Sequence, residues 1–242
     1  MSYSVVDLFC GAGGLSKGFM DAGFDIKIGV DFDDAALLTF AKNHGDAEAK
    51  KIDLFNLDNV QEIKDCLTTK GVNDLDVLIG GPPCQGFSLA GNRLESDERN
   101  TLYTAMVKTA ELLKPRVVLL ENVPGMLTLY KGKVKEKIFS DFENLGYKMN
   151  VQVLYAPEYG IPQIRKRAFF VGLLHSDDKF KYPDPILKEE NFISCEQAIG
   201  DLPSLVGDED YDVKTVRDYE KAPLTDYEKK MRANSKRIYN HT

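Results

Sequence analysis

Seven short apolar runs alternate with amphipathic stretches along the first three-quarters of this chain. The runs predict strands near residues 4–9, 26–31, 49–53, 75–80, 116–121, 149–155 and 167–174. Between them, apolar positions recur at helical spacing near 13–22, 33–43, 57–69, 101–114 and 133–145. Val77-Leu78-Ile79 and Val117-Val118-Leu119-Leu120 are unbroken, the pattern of strands buried on both faces. Regular alternation of this kind predicts an α/β fold with a mostly parallel, doubly wound sheet and helices on both faces. No clear helix separates the last two runs. After His175 the texture becomes charged and proline-dotted, with an acidic stretch at 207–212 and a helix-like charge pattern from Thr225. The predicted organisation is one domain over 1–175 that carries cofactor and chemistry, and an extension over 176–242.

Composition narrows the class without identifying it. The chain has 242 residues, 43% hydrophobic and 29% charged, which suits a globular α/β enzyme. No apolar run reaches membrane-spanning length, and the first strand begins too early to leave room for a signal peptide, so a cytoplasmic location is expected. The four cysteines (Cys10, Cys66, Cys84 and Cys195) show neither metal-ligand spacing nor a paired framework. No metal is expected. His44, His175 and His241 lie outside every motif and receive no chemistry. The net charge of −7 argues against tight, independent binding to nucleic acid. A local basic set of Arg93, Arg99, Arg165, Lys166 and Arg167 still offers phosphate contacts.

Candidate chemistry gathers at the ends of the predicted strands. Gly80-Gly81-Pro82-Pro83-Cys84-Gln85-Gly86-Phe87-Ser88 sets a cysteine on a proline-stiffened loop directly after an apolar strand. A lone cysteine usually packs as a small apolar residue, so Cys84 gains meaning only from its company. Asp7-Leu8-Phe9-Cys10-Gly11-Ala12-Gly13-Gly14-Leu15 joins a strand to a helix through a glycine turn that lets backbone approach a ligand. Ser16 stands where the third glycine of a dinucleotide fingerprint would be, which disfavours a nicotinamide-dependent oxidoreductase. Asp31 follows by about 20 residues, the position from which a carboxylate accepts ribose hydroxyls in such sheets. Asp33 and Asp34 read as capping and first-turn residues of the next helix. Asp53 suits a turn and a ligand contact equally. Glu121, at the end of Val117-Val118-Leu119-Leu120, sits where α/β sheets place their chemistry, although capping of the helix after Pro124 would also explain it. Gln163-Ile164-Arg165-Lys166-Arg167 opens the last strand, so at least one of its cations must turn inward to an anionic or carbonyl partner.

Taken together, the glycine turn, the Pro-Pro-Cys-Gln loop, Glu121-Asn122-Val123 and the Gln-x-Arg-x-Arg element resemble the ordered motifs of the DNA carbon-5 cytosine methyltransferases, from Val5 to about Leu174. The resemblance implies a Rossmann-like methyltransferase fold whose sheet ends in an antiparallel hairpin. It implies transfer of a methyl group from S-adenosylmethionine to carbon 5 of a cytosine flipped out of duplex DNA, leaving S-adenosylhomocysteine. Carbon 5 is a poor nucleophile, so the family first adds a thiolate to carbon 6. Cys84 matches that nucleophile, Glu121 the residue that protonates ring nitrogen 3, and Arg167 the arginine on the cytosine carbonyl. Arg165 matches a second arginine near the flipped nucleotide. For the cofactor, Phe9 matches an aromatic against the adenine, and Gly11, Ala12, Gly13, Gly14 and Leu15 form the turn at the methionine portion. Asp31 matches the ribose acceptor, with Phe32 beside it, while Asp53, Leu54 and Leu102 match contacts and walls around the adenine. Gln85, Ser88, Arg93 and Arg99 fall on the DNA side, and the segment from Ser88 to Asn100 is expected to close over DNA and carry Cys84 to the base.

The ending departs from the family pattern, because neither a target-recognition domain nor the Asn-containing motif that completes the cofactor pocket is visible. The expectation is a fragment of a longer enzyme or one subunit of a split one, with a second polypeptide or further C-terminal region reading the DNA sequence, as in a bacterial restriction-modification system. Two further readings stay open: an RNA (tRNA) cytosine-5 methyltransferase on the same scaffold, and a non-catalytic nucleoside-binding subunit.

Overall fold

The computed structural model describes residues 2–83, 102–203, 216–219, 221–233, 235 and 237–239. They fall into two compact units: 1–154 with 166–182, and 155–165 with 183–242. The first unit thus runs past 175, to Tyr182. The reason lies in Tyr182, whose buried hydroxyl donates to the carbonyls of Phe169 (2.6 Å) and Asn150 (3.1 Å) and so ties 176–182 to the first unit.

The first unit is built on β1 (Ser4–Leu8), β2 (Asp25–Asp31), β3 (Glu48–Lys51), β4 (Val77–Gly80), β5 (Val117–Asn122), β6 (Tyr147–Tyr155) and β7 (Lys166–Leu174), in the spatial order β3-β2-β1-β4-β5-β7-β6. β1 runs parallel to β2 and β4, β2 to β3, and β4 to β5. β7 is antiparallel to β5, pairing Glu121 with Phe169 and Asn122 with Ala168, so the expected terminal hairpin is present. After β3 the chain returns to add β4 on the other side of β1. That reversal makes a topological switch point between β1 and β4, where carboxyl ends diverge and a crevice opens.

Strand alternation divides the core into two layers. Val77 and Ile79 join Val5, Ile26, Leu37 and Phe40 beneath α1 (Gly14–Asp21) and α2 (Asp34–Asn43). Leu78 joins Val6, Leu8, Ile28 and Leu120 on the opposite face, under α3 (Val60–Thr69), α4 (Tyr103–Leu113) and α5 (Lys133–Glu143). As the sequence predicts, Asp33 caps α2, its Oδ1 accepting the Ala36 N–H at 2.8 Å. Gly29 in β2 leaves room for Phe40: a Cβ there would lie 2.2 Å from the Phe40 Cζ, and that ring is fully buried. Gly29→Ala is therefore expected to destabilise the chain by about 2–3 kcal/mol, read as a lower urea midpoint at unchanged slope.

In the second unit, α6 (Cys195–Ile199) and α7 (Asp226–Arg232) each begin with a capping box, Ser194 with Gln197 and Thr225 with Glu228. Thr225 Oγ1 donates to the Gln197 carbonyl at 2.6 Å, and Arg232 grips the buried Asp201 with two bonds of 3.0 and 2.8 Å. β8 (Val216–Arg217) pairs antiparallel with β9 (Ile238–Tyr239). The acidic stretch at 207–212 lies outside the described residues.

Candidate active site

A cavity of about 380 Å³ lies at the carboxyl ends of the strands flanking the switch point, lined by Phe9, Asp31, Phe32, Ile52, Asp53, Leu54, Phe55, Gly81, Pro83 and Leu102. Six residues the sequence assigns to the cofactor therefore converge here: Phe9, Asp31, Phe32, Asp53, Leu54 and Leu102. Leu54 and Leu102 are buried, whereas Phe32 stands 66% exposed at the rim with the Lys51 ammonium 5.4 Å from its ring centre. Phe55 was not read from the sequence. It lines the same cavity at 55% exposure, and its only signal is a large aromatic two residues beyond a strand-end aspartate.

Asp31 has structural work as well as a place in the cavity. Its Oδ2 accepts the Gly11 N–H (2.8 Å), and its Oδ1 accepts the N–H groups of Phe32 (2.7 Å) and Asp33 (3.0 Å). A carboxylate offers about four acceptor positions, so one on Oδ2 is left to face a ligand hydroxyl. Asp53 likewise combines both readings, since its Oδ1 accepts the Phe55 N–H at 2.9 Å in a side-chain turn while it lines the cavity.

The glycine turn follows Phe9 at the end of β1, and residues 11–15, assigned to the cofactor by the sequence, are not among the lining of the cavity. Phe9 turns the chain with φ +59° and Gly13 with φ +90°, and the Gly13 N–H donates to the Cys10 carbonyl at 2.9 Å. Ala12 and Gly14 are exposed, whereas the Leu15 side chain packs on the core beneath β1 and β2, leaving its backbone as its contribution to a site. Beneath the turn, Asp7 is 1% exposed and accepts the Ser16 hydroxyl at 2.6 Å. Burial pushes the Asp7 carboxyl up to about 7 against the lowering effect of its bonds to Ser16. The Cys10 thiol is raised by burial, then by the carboxylates of Asp7 and Asp31, and the Cys66 thiol rises to about 11 through burial and its bond to Glu48. Both stay protonated at neutral pH and serve as packing residues.

A second cluster stands at the ends of β4, β5 and β7. Arg167 Nε lies 3.0 Å from Glu121 Oε1, with the two side chains 26% and 23% exposed. One Arg of the basic run thus turns inward, as the sequence requires, and Glu121 faces an arginine rather than capping the turn after Pro124. A Cβ on Gly81 would sit 3.7 Å from Glu121 Oε2, so the carboxylate borders the start of the proline loop. Asn122, buried, donates from Nδ2 to the Pro82 carbonyl (3.0 Å) and accepts the Val123 N–H on Oδ1 (2.8 Å). That amide couples the Glu121 strand end to the loop leading to residue 84, a link the sequence did not disclose. Arg165 belongs to the second unit, where its carbonyl accepts the Ala156 N–H at 2.9 Å. Cys84, Gln85, Ser88, Arg93 and Arg99 lie outside the described residues, as does the segment expected to close over DNA.

A sheet ordered 3-2-1-4-5-7-6 with an antiparallel seventh strand, and a nucleoside-sized cavity at its switch point, defines the Rossmann-like methyltransferase class. Residues 3–241 match the family of C-5 cytosine-specific DNA methylases. The chain is 37% identical over 251 residues to the type II methyltransferase M.DdeI of Desulfomicrobium norvegicum, covering 98% of this chain and 57% of that protein. It is 34% identical over 259 residues to the type II methyltransferase M.AgeI of Thalassovita gelatinovora, covering 98% and 59%. Among solved structures it is similar to a prophage-encoded E. coli protein described as a DNA modification methyltransferase, with a TM-score of 0.76, 32% identity and coverage of 95% and 64%. The chain belongs to the C-5 cytosine-specific DNA methylase family, whose members depend on S-adenosylmethionine. It spans a little under three-fifths of the length of the two curated relatives named. Among the described residues no helix is long and apolar enough to cross a membrane.

Proposed function

We propose that this chain carries the catalytic and cofactor-binding part of an enzyme that methylates carbon 5 of cytosine in duplex DNA, in the manner of a type II modification methyltransferase acting in the bacterial cytoplasm. The observation that carries this reading is the Glu121–Arg167 pair at the edge of the Pro82-Pro83 loop, joined to it through Asn122. An acid, its orienting cation and the lead-in to a cysteine are thereby gathered at one end of the sheet.

The cavity fits the cofactor by size and chemistry. Phe9, Leu54, Phe55 and Leu102 offer an apolar slot for a purine, Asp31 keeps one acceptor position for a ribose hydroxyl, and Gly14 and Leu15, at the head of α1, offer backbone N–H groups. Bound there, S-adenosylmethionine supplies the methyl group. The Cys84 thiolate forms a bond to carbon 6 of the flipped base while the Glu121 carboxyl delivers a proton to ring nitrogen 3; once carbon 5 is methylated, a base takes its proton and the carbon–sulfur bond breaks, returning the thiolate. Arg167 binds the base's carbonyl and holds Glu121 in line, with Arg165 near the flipped nucleotide. Gln85, Ser88, Arg93 and Arg99 contact the DNA around it. The division of labour is then 1–175 for cofactor and chemistry, with 176–242 leading toward target recognition supplied by a further region or a second polypeptide.

Covalent trapping tests this directly. Wild type and Cys84→Ser are incubated with duplex DNA containing 5-fluorocytosine and S-adenosylmethionine, then resolved by denaturing electrophoresis. The fluorine blocks the final elimination, so a shifted band from wild type alone is expected. The reading fails if no band forms even after a candidate target-recognition polypeptide is added. Label carried by tRNA rather than duplex DNA would transfer the same chemistry to an RNA substrate.

A further inference from the structure

Gly13, at the bend of the glycine turn, is held by a residue from a distant helix. Its carbonyl accepts the Lys17 N–H of α1 at 2.8 Å and, at 3.0 Å, Nε2 of His44, which stands at the C-terminal cap of α2. A carbonyl only accepts, so Nε2 carries the ring proton and Nδ1 is bare. Nδ1 is buried with no hydrogen-bond partner among the described residues, and His44 as a residue is 3% exposed. Burial first, and the Lys17 charge second, lower the pKa of His44, which keeps the ring neutral.

The ring has little freedom to leave. Phe40, one helical turn earlier on the same face of α2, meets it edge to face with centroids 4.5 Å apart, and is itself lodged over Gly29. On the other side, a Cβ on Gly13 would lie 2.3 Å from His44 Nε2, at a backbone φ of +90° that already favours glycine. The absence of a side chain at 13 is what lets the imidazole reach the carbonyl. Because a peptide unit is planar and trans, fixing the Gly13 carbonyl also fixes the Gly14 N–H, which points the opposite way in the same plane. Gly14 and Leu15 are the first residues of α1, so their N–H groups lack intrahelical acceptors and are free to meet a ligand.

We infer that His44 is a positioning residue for the methyl donor: its Nε2–H holds the Gly13 carbonyl and thereby aims the Gly14 N–H, at the head of α1, at the bound cofactor. This role rests on the reading of residues 11–15 as the cofactor turn. It needs the donor itself, not only the bulk of the ring.

The test compares wild type, His44→Met, which keeps bulk without a donor, and His44→Gln, which restores an N–H near the position of Nε2. Calorimetry on the full chain should show S-adenosylmethionine bound about tenfold more weakly by the Met variant, equivalent to about 1.4 kcal/mol, and within about threefold of wild type by Gln. The KM for duplex DNA should not move. Wild-type affinity in the Met variant overturns the positioning role alone, whereas failure of wild type to bind S-adenosylmethionine overturns the cofactor turn and the role together. Should the Met variant not fold, side-chain nitrogen NMR of wild type decides: a protected His44 Hε2 signal that shifts on adding S-adenosylmethionine is expected, and a ring protonated on Nδ1 or a signal indifferent to cofactor overturns the inference.

Discussion

Glu121→Gln is expected to lower kcat for methylation of duplex DNA by about 10²- to 10⁴-fold, the usual contribution of a positioned general acid, while leaving S-adenosylmethionine affinity unchanged. The amide preserves the size of the carboxylate and leaves Arg167 an oxygen to bind at the place where it now meets Oε1 at 3.0 Å. What is lost is the proton that the proposed mechanism delivers to ring nitrogen 3. Glu121 is not among the lining of the cavity proposed for the cofactor, which is why binding and turnover should separate. Single-turnover kinetics with labelled methyl donor, beside calorimetry of cofactor binding, measures both. A kcat within threefold of wild type would remove Glu121 from the chemistry, and a matching loss of cofactor affinity would show that the variant had disturbed the strand end instead.

The second large effect is on stability and its dependence on pH. Asp7 is buried under the glycine turn, and its carboxyl titrates at about 7 in the folded chain against an ordinary 3.8. Between those values the folded chain holds a proton that the unfolded chain has released. Stability therefore falls as pH rises through this window, by up to ~1.4 kcal/mol per pH unit, and levels off once Asp7 is ionised in both states. Asp7→Asn keeps an oxygen for the Ser16 hydroxyl and removes the titration. Subtracting the variant's stability from that of wild type cancels other groups, including His44, whose lowered pKa acts in the opposite direction as pH falls. From pH 5 to pH 8 the wild type should lose about 3 kcal/mol relative to Asp7→Asn, measured by urea unfolding at each pH. A difference that stays flat, or that grows in favour of wild type, would contradict a proton on buried Asp7.

Strand and helix placement was legible because burial on both faces leaves unbroken aliphatic runs such as Val117 to Leu120, and their boundaries lie within a few residues of expectation. The edges were less legible. β3, Glu-Ala-Lys-Lys, carries almost no apolar signal and ends at Lys51, which releases Ile52, Asp53 and Leu54 into the wall of the cavity. β6 begins at Tyr147, ahead of the expected 149, because the buried Tyr147 hydroxyl donates to the Pro115 carbonyl at 2.7 Å, a bond to a residue far away in the chain. Of the candidate site, six of the residues the motifs assign to the cofactor line one cavity, and Glu121 meets Arg167. Leu15 packs into the core instead of entering the cavity, since helical spacing turns its side chain toward β1 and β2.

The sequence by itself determined the α/β alternation, the strand-end positions of Asp31, Glu121 and the proline loop, and the family to which the motifs belong. These follow from local rules, because periodicity records which face a residue presents and motif chemistry is carried by residue identity. Only the tertiary structure decided the strand order that opens the crevice between β1 and β4, and which distant partners meet: His44 with Gly13, 31 residues away, and Asn122 with Pro82, 40 residues away. A histidine in no motif and an amide beside a glutamate carry no local mark of these bonds. Their partners are set by how distant elements pack, and a buried donor is satisfied by whichever carbonyl that packing brings within reach.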